Sequence, residues 1–172
     1  MAFDQPTARL LEKLSQEAEL SQSEIMRRAL RFYCENKALQ DPVTSKKVHA
    51  YMELLLSGEH VILDVDHWLL FLRFIKASPE AAKFWEEHRK VAQSHKEQLR
   101  SRANTMENIL TRLENCNFFR MTKNSDKDFT LILGSEIPKT FVRILIEEFF
   151  SVAGIKAEIK ENLAKISVTA KP

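Results

Sequence analysis

The sequence predicts an α+β protein that is predominantly helical, with long central helices. Over most of the first 115 residues, apolar side chains recur every three or four positions, which is the spacing of amphipathic helices. Beyond Asn117 the spacing changes to alternation, most clearly in the segment IKAEIK, which is typical of β-strands. Glycine is rare, and Gly58, Gly134 and Gly154 each lie where one pattern gives way to the next.

The composition is typical of a globular protein in a reducing compartment. The chain has 172 residues, of which 44% are apolar and 29% charged, and its formal net charge is +2. This balance excludes binding to nucleic acid or to a membrane by bulk charge alone. Cys34 and Cys116 are the only cysteines, which excludes a disulfide framework. Because the sequence shows neither a signal peptide nor an uncharged apolar span, we expect a cytoplasmic protein without membrane contact.

Two amphipathic helices are predicted in the first forty residues, the first of three expected parts (1–40, 41–78 and 79–172). Asp4 is a candidate N-cap for the first helix and Ser21 for the second, with Glu24 completing a capping box. Pro42 is expected to end the second helix after about Leu39. Two short helices cannot bury their apolar faces alone, so a second copy or the rest of the chain should cover them. The apolar positions are Leu10, Leu11, Leu14 and Ala18, then Ile25, Ala29, Leu30, Phe32 and Tyr33.

The segment LLEKLSQEAELSQSEIMRRALRFYCENKAL resembles the two helices of the ribbon-helix-helix (CopG/Arc-like) DNA-binding family. The LSQSE start, followed by I-x-x-x-A-L-x-x-Y, carries the resemblance. It implies a homodimer or higher homo-oligomer that binds double-stranded DNA, with an N-terminal strand paired to its mate in the major groove. It also implies a phosphate clamp at the start of the second helix, which is a natural anion site. The clamp would consist of Ser21, Gln22 and Ser23, supported by Arg27 and Arg28.

The position of the family's strand leaves two alternatives open. Only Met1, Ala2 and Phe3 precede Asp4, where the resemblance places that strand. Either the strand is very short, or the module keeps its dimer fold without reading bases, which would remove base-specific discrimination. In the second case residues 1–40 serve only for dimerisation, and the protein is a ligand-binding or adaptor protein.

The middle of the chain is expected to be helical. The pattern predicts a helix over residues 44–56 with an apolar stripe, a short strand at residues 60–63, and an apolar helix capped by Asp64 or Asp66. That last helix is apolar nearly all round and is expected to be buried. The Ser78-Pro79-Glu80 sequence predicts a new helix start. From there the same spacing continues to residue 115, which predicts one long helix. The 44–56 stripe is Val48, Tyr51, Met52, Leu55 and Leu56, and the long helix begins its stripe with Phe84, His88, Val91 and His95.

The C-terminal third predicts a ββαββ layer. Strands are expected at residues 117–122 and 129–133, a helix from about residue 137 to Gly154, and a hairpin over residues 155–169. Together with the preceding FWEEHRKVAQSHKEQLR segment, this half is similar in topology to vinyl-reductase-type small-molecule-binding domains. The similarity implies a sensing domain with an unidentified small-molecule effector. Candidate ligand-binding residues are Trp68, Trp85, His88, His95 and Phe141.

His88 and His95 allow a different hypothesis, a haem- or metal-dependent sensor. Their seven-residue spacing exceeds that of an i,i+4 metal pair, so a metal would need ligands from elsewhere, and two hydrogen-bonded, partly buried histidines are the alternative. The sequence contains no P-loop, GxSxG or HExxH motif, so we expect no catalytic residue and no enzyme. The leading hypothesis is a homodimeric DNA-binding transcription regulator with a C-terminal small-molecule-sensing domain and no resident cofactor or metal.

Overall fold

The computed structural model describes residues 3–58, 60–98 and 104–172. The chain divides into two compact units, Met1–Glu53 (unit 1) and Leu54–Pro172 (unit 2). The predicted fold class is confirmed, because seven α-helices and one four-stranded antiparallel sheet dominate the residues so described. The three-part division at residues 40 and 78 stays a prediction. None of the helices in the described ranges is both long enough and apolar enough to span a membrane.

Unit 1 is a series of helices whose starts are set by side-chain caps. Asp4 caps α1 by accepting a hydrogen bond from the Thr7 N–H at 2.9 Å, and α1 ends at Glu19, whose φ is 53°. The second helix ends at Glu35, earlier than predicted, and a short 3-10 helix follows it before Pro42 begins the third. The bounds are α1 Gln5–Ala18, α2 Gln22–Glu35, 3-10 helix Lys37–Gln40, and α3 Pro42–Leu56, which continues into unit 2.

Unit 1 buries little apolar surface. Among its described residues only Leu11 is buried, whereas Leu30, Phe32 and Tyr33 are exposed by 60%, 62% and 58%. The predicted apolar faces of α1 and α2 are therefore left largely open to solvent. Helical faces of this kind gain most of their stability from packing against a partner.

Two predictions for the middle of the chain are wrong. Residues 60–63 form no strand, and the helix that follows, α4 Val65–Ala77, is not buried all round. Asp64 caps α4 as predicted, accepting from the Asp66 N–H at 2.9 Å. Only one side of α4 is packed, with Leu72 buried and Phe71 and Phe74 exposed. The α3 stripe also differs, because Leu54 is its buried residue while Met52, Leu55 and Leu56 are exposed.

The single long helix predicted up to residue 115 is instead two helices, α5 Ala81–Gln98 and α6 Met106–Asn115. Thr105 has extended backbone angles (φ −110°, ψ 155°), and its side chain caps α6 by accepting from the Asn108 N–H at 3.2 Å. The start at Ser78 is also later than predicted, since α5 begins at Ala81 after a turn in which Ser78 Oγ accepts from the Glu80 N–H.

The predicted ββαββ layer is present at the C-terminus. Its elements are β1 Arg120–Ser125, β2 Asp128–Ile132, α7 Lys139–Ala153, β3 Ala157–Asn162 and β4 Lys165–Ala170. The strands pair antiparallel in the order β1-β2-β4-β3. The register puts Phe129 opposite Val168 and Leu131 opposite Ile166, and all four side chains are buried. The opposite face is polar, as is usual when one side of an antiparallel sheet faces water.

Charged residues on the two outer strands of the sheet form ion pairs with helices α6 and α7. The inner sheet face ends in a charged residue at each outer strand: Lys123 of β1 lies opposite Phe129, and Glu161 of β3 lies opposite Ile166. Lys123 Nζ is 2.9 Å from Glu107 Oε2 of α6, while Glu161 pairs with Lys139 and Arg143 of α7. Helices α5, α6 and α7 complete the core of unit 2 above the inner face of the sheet. The core residues include Ala92, Ile109, Leu110, Leu113, Phe129, Leu131, Val142, Ile146, Phe149, Phe150, Ile166 and Val168.

Candidate nucleic-acid interface

The predicted phosphate clamp lies at the exposed N-terminus of α2. Ser21 has extended backbone angles (φ −65°, ψ 149°), and its Oγ accepts a hydrogen bond from the Glu24 N–H at 3.2 Å. The amides of Gln22 and Ser23 precede that N–H in the first turn, where a helix offers them no carbonyl partner. All three side chains are exposed. The helix start therefore presents unpaired N–H groups and hydroxyls to solvent, which is an arrangement that can hold an anion.

Half of the predicted capping box is absent. The Glu24 carboxylate does not return to Ser21 but binds both arginines that follow it. Arg27 Nε is 3.1 Å from Glu24 Oε2, and Arg28 Nε is 2.8 Å from Glu24 Oε1. Hydrogen bonds from Arg28 and then Arg27 lower the pKa of Glu24 below its usual value. The two predicted cations thus lie within one turn of the clamp and are held by a neighbouring carboxylate.

Beside this site, α1 and α2 line a shallow, open apolar groove of about 420 Å³. Arg28 is one of its two charged lining residues, so the cationic site borders the groove directly. Sequence analysis identified its apolar positions as helix faces but gave no sign of a groove, since that depends on how α1 and α2 are joined at Glu19. The groove is lined by Leu14, Glu17, Ala18, Ile25, Arg28, Ala29 and Phe32.

The strand implied by the family resemblance falls on residues 1–3. Met1 and Ala2 lie outside the described residues, and Phe3 precedes α1 without forming part of a strand. Pairing of such a strand would in any case require the corresponding strand of a second copy. The choice between a short base-reading strand and a module used only for dimerisation therefore stays open on geometry.

Four of the five candidate ligand-binding residues meet in unit 2. The Trp68 and Phe141 rings are 6.0 Å apart between centroids, and the His88 ring stacks on Phe141 at 4.0 Å. Trp85 meets the edge of His88 at 6.1 Å. No ring contact joins His95 to these four residues, which are all described. Phe84 and Phe118 also belong to this aromatic cluster.

His88 is buried between α5 and α7. Its Nε2 lies 3.1 Å from the Phe141 carbonyl oxygen, so the neutral ring can donate a hydrogen bond there. Burial lowers the pKa of His88, and the charge of Arg89 acts in the same direction; the Phe141 hydrogen bond and Glu148 oppose them without reversing the shift. In the described ranges no group of three or more His, Cys, Asp or Glu side chains could hold a metal.

The contacts between α5 and α7 differ from those expected of the predicted apolar stripe of the long helix. His88 and Ala92 are buried, whereas Val91 is 54% exposed. Gln93 Nε2 donates to Glu148 Oε2 at 2.7 Å, and Arg89 binds the other oxygen of the same carboxylate. Burial alone would raise the pKa of Glu148, but the hydrogen bonds from Gln93 and Arg89 outweigh it and lower the pKa. The small side chain of Ala92 is the feature of the sequence that could have indicated close packing of α5 against α7.

Neither cysteine is placed as a nucleophile. Cys34 is exposed on α2, and Cys116 is half-buried at the end of α6. Burial raises the pKa of the Cys116 thiol, and the nearby charge of Arg112 offsets this only in part. A thiol with a raised pKa is less often in its reactive thiolate form at neutral pH.

Comparison with known protein families gives a sequence match within unit 1. Residues 4–37 match the sequence model described as ribbon-helix-helix protein, copG family. The match spans α1 and α2 and includes all five residues of the predicted clamp and cation pair. No curated protein and no solved structure matches the chain. The similarity of the C-terminal half to vinyl-reductase-type domains stays a prediction. Residues 4–37 are thus similar in sequence to ribbon-helix-helix proteins of the copG family.

Proposed function

We propose that the protein is a homodimeric DNA-binding transcription regulator whose C-terminal part, residues 79–172, senses a small molecule. The observation that carries the proposal is the coincidence of the family match over residues 4–37 with an exposed, Ser21-capped helix start. That helix start has the geometry of a phosphate site, and the helix behind it has an apolar face that the described residues leave exposed.

Dimerisation follows from the open faces of α1 and α2. Leu14 and Phe32, which line the groove, are 40% and 62% exposed. Burying apolar surface contributes about 25 cal/mol per Å² to the free energy of association. Covering the groove with the same helices of a second copy is therefore strongly favourable. An isologous pair would use the same face on both copies, as twofold symmetry requires.

Phosphate binding uses the start of α2 together with its two arginines. The Gln22 and Ser23 amides can donate to a phosphate oxygen, and the Ser21 hydroxyl hydrogen is available because its oxygen is the acceptor in the cap. Arg28 and Arg27 are 63% and 68% exposed at their side chains, so an approaching phosphate can compete with Glu24 for them. Such contacts position the protein on DNA but do not themselves read sequence.

A sensing role for the C-terminal part is supported by the aromatic cluster around Phe141. Trp68, Trp85 and Phe141 are only half-buried, so the rings present both packed and accessible surface. Small-molecule sites are lined mainly by apolar and aromatic side chains together with a few polar groups, a role that His88 can fill here. A bound effector would act by changing the spacing of the two N-terminal modules on DNA, since half-site spacing decides dimer fit.

The test is fluorescence anisotropy with a duplex from the region upstream of the protein's own coding sequence, at several salt concentrations and against a scrambled duplex. Ser21→Asp is the sharpest variant, because aspartate remains a good N-cap while its charge repels phosphate. We expect tight, sequence-dependent binding that this variant abolishes without loss of helix content by circular dichroism.

Charge variants of α2 give matched controls. Arg27→Gln and Arg28→Gln should each lower the slope of log affinity against log salt by about 1, as for one lost phosphate contact. Arg31→Gln removes the same charge one turn further from the clamp and should leave the slope unchanged. Glu24→Gln should tighten binding roughly threefold, because it frees both arginines and removes a charge that repels phosphate.

Two outcomes would contradict the proposal. If the intact protein binds neither duplex at low salt, residues 1–40 serve only for dimerisation and the protein is an adaptor or ligand-binding protein. If it binds both duplexes equally with a steep salt slope, the binding is non-specific and a regulator of particular genes is excluded.

A further inference from the structure

Helix α4 of unit 2 has an apolar face that the described residues leave exposed. Trp68 and Leu72 lie on the packed side, where Trp68 meets Phe118 and Phe141 and Leu72 is 3% exposed. On the opposite side Leu70, Phe71 and Phe74 are 43%, 52% and 70% exposed. Leu70 and Phe74 are four positions apart and Phe71 and Phe74 three, so both pairs are neighbours on the helix surface and the three side chains form a continuous patch. We refer to these three residues as the α4 patch.

The charges of α4 are separated along its length. Asp64 and Asp66 lie at its N-terminal end, and Arg73 and Lys76 at its C-terminal end. Asp66 and Arg73 are seven residues apart, which is two helical turns, so both lie along the same edge of the α4 patch. Leu70 lies between them. The patch therefore has an acidic and a basic end on a single edge.

This arrangement is complementary to itself when two α4 helices pack antiparallel. A twofold axis between Leu69 and Leu70 brings Asp66 of each copy opposite Arg73 of the other. A parallel pair would instead place Asp66 against Asp66 and Arg73 against Arg73, which is unfavourable because like charges repel. The same charge pattern argues against a lipid surface, since membrane-bound helices carry mainly Lys and Arg on their polar side.

We propose that the α4 patch binds the α4 patch of a second copy of the chain in an antiparallel, twofold-symmetric pair. The inference rests on the proposed function in one respect, the dimerisation of residues 4–37. One pair of 13-residue helices buries far less than the roughly 1,600 Å² of a typical stable interface. Dimerisation through unit 1 tethers the two α4 helices and raises their effective concentration, which makes such a small interface sufficient.

Disulfide cross-linking of the full-length protein tests the pairing. In a Cys34→Ser, Cys116→Ala background, Phe71→Cys places one thiol per chain close to the proposed axis. Val91→Cys is the matched control, because Val91 is 54% exposed on another helix of the same unit, against 52% for Phe71. Under mild oxidation we expect the position-71 variant to form a covalent dimer about tenfold faster than the position-91 variant, as effective concentration predicts.

A charge exchange tests the orientation. In the Phe71→Cys protein, Asp66→Arg and Arg73→Asp should each slow cross-linking several-fold, because each creates two like-charge pairs. The double variant Asp66→Arg/Arg73→Asp restores opposite charges at both ends and should restore the rate. Circular dichroism of every variant checks that the helices are retained.

Sedimentation and DNA binding of the same samples separate this inference from the proposed function. A dimer that binds DNA but cross-links equally slowly at positions 71 and 91 overturns the α4 pairing alone. Rapid cross-linking at position 71 in a protein that does not bind DNA supports the pairing and overturns the regulator. A monomer that cross-links at neither position overturns both.

Discussion

Unit 1 and unit 2 differ in how much of their structure they complete by themselves. Unit 1 carries the recognisable sequence, yet Leu11 is the only buried side chain among its described residues. Unit 2 has a packed core built on Phe129, Ile146 and Val168, and the family match lies outside it, at residues 4–37. This difference shows that a sequence is easier to recognise where its surface chemistry is constrained. A phosphate clamp needs particular residue types, whereas a core accepts many apolar combinations of similar volume.

The largest expected effect comes from making the same substitution, Phe to Ala, at a buried position of unit 2 and at an exposed position of unit 1. Phe129→Ala removes a fully buried ring and should lower the free energy of unfolding of unit 2 by about 3–5 kcal/mol. Phe32→Ala removes a ring that is 62% exposed in one chain, so any large loss of stability there must come from a partner. Urea unfolding can separate the units, because both tryptophans, Trp68 and Trp85, lie in unit 2.

Protein concentration is the control for that pair. The effect of Phe32→Ala on far-UV circular dichroism should grow at concentrations where the wild type is dimeric, while the tryptophan transition of Phe129→Ala should not depend on concentration. Equal, concentration-independent effects at both positions would show that unit 1 is as self-sufficient as unit 2 and would remove the contrast.

A smaller effect is expected at the polar contact between α5 and α7. Glu148→Ala leaves Arg89 and Gln93 without their shared acceptor and should destabilise unit 2 by about 1.5–3 kcal/mol, the usual value for hydrogen bonds to a charged group. Glu147→Ala is the matched control, since that carboxylate is more exposed and should contribute no more than about 1 kcal/mol. Similar losses at both positions, measured by tryptophan fluorescence in urea, would contradict the distinction.

Helix caps allow a comparison of equal chemistry in the two units. Ser21→Ala and Thr105→Ala each remove a hydroxyl that accepts a first-turn N–H, so each should cost about 1 kcal/mol. Only Ser21→Ala should also weaken DNA binding, because only that cap belongs to the clamp. Anisotropy showing the same loss for both variants would mean that stability, rather than phosphate contact, governs binding.

The smallest effect concerns pH and is confined to unit 2. Because folding lowers the pKa of His88, the unfolded chain takes up a proton first, near the usual pKa of about 6.5. His88 therefore contributes stability above that pH, which is lost as the pH falls toward the lower pKa of the folded state. His88→Gln should flatten the fall in the urea midpoint of tryptophan fluorescence below about pH 6.5. An unchanged pH profile would rule out His88 as its source.

The sequence was most informative where local chemistry decides the structure. Residue type identified Asp4 and Ser21 as helix caps and narrowed the cap of α4 to Asp64 or Asp66, and the change to alternation located the sheet. The five residues of the clamp region were implied by the family resemblance, and capping and helix periodicity placed them in the first turns of an exposed helix. These predictions needed no knowledge of what lies across the chain.

Predictions that depended on distant neighbours were less successful. Periodicity shows that α4 is apolar but not that only its Leu72 side is covered, since burial depends on what packs against it. The break before α6 was missed because apolar spacing continues through Thr105, although that residue and Glu107 form an ordinary helix start. The link between Glu24 and both arginines competes with the capping box and cannot be distinguished from it by spacing alone.

The charged residues at the two outer strands of the sheet have a consequence for assembly. An uncovered edge strand offers its backbone to the edge of another molecule, and inward-pointing charges are one device by which natural sheets prevent this. Adding a fifth strand beside β1 or β3 would extend the apolar inner face past Lys123 or Glu161, whose ion pairs to α6 and α7 would have to be accommodated. These inward-pointing charges therefore disfavour growth of the sheet into a fibre-like stack.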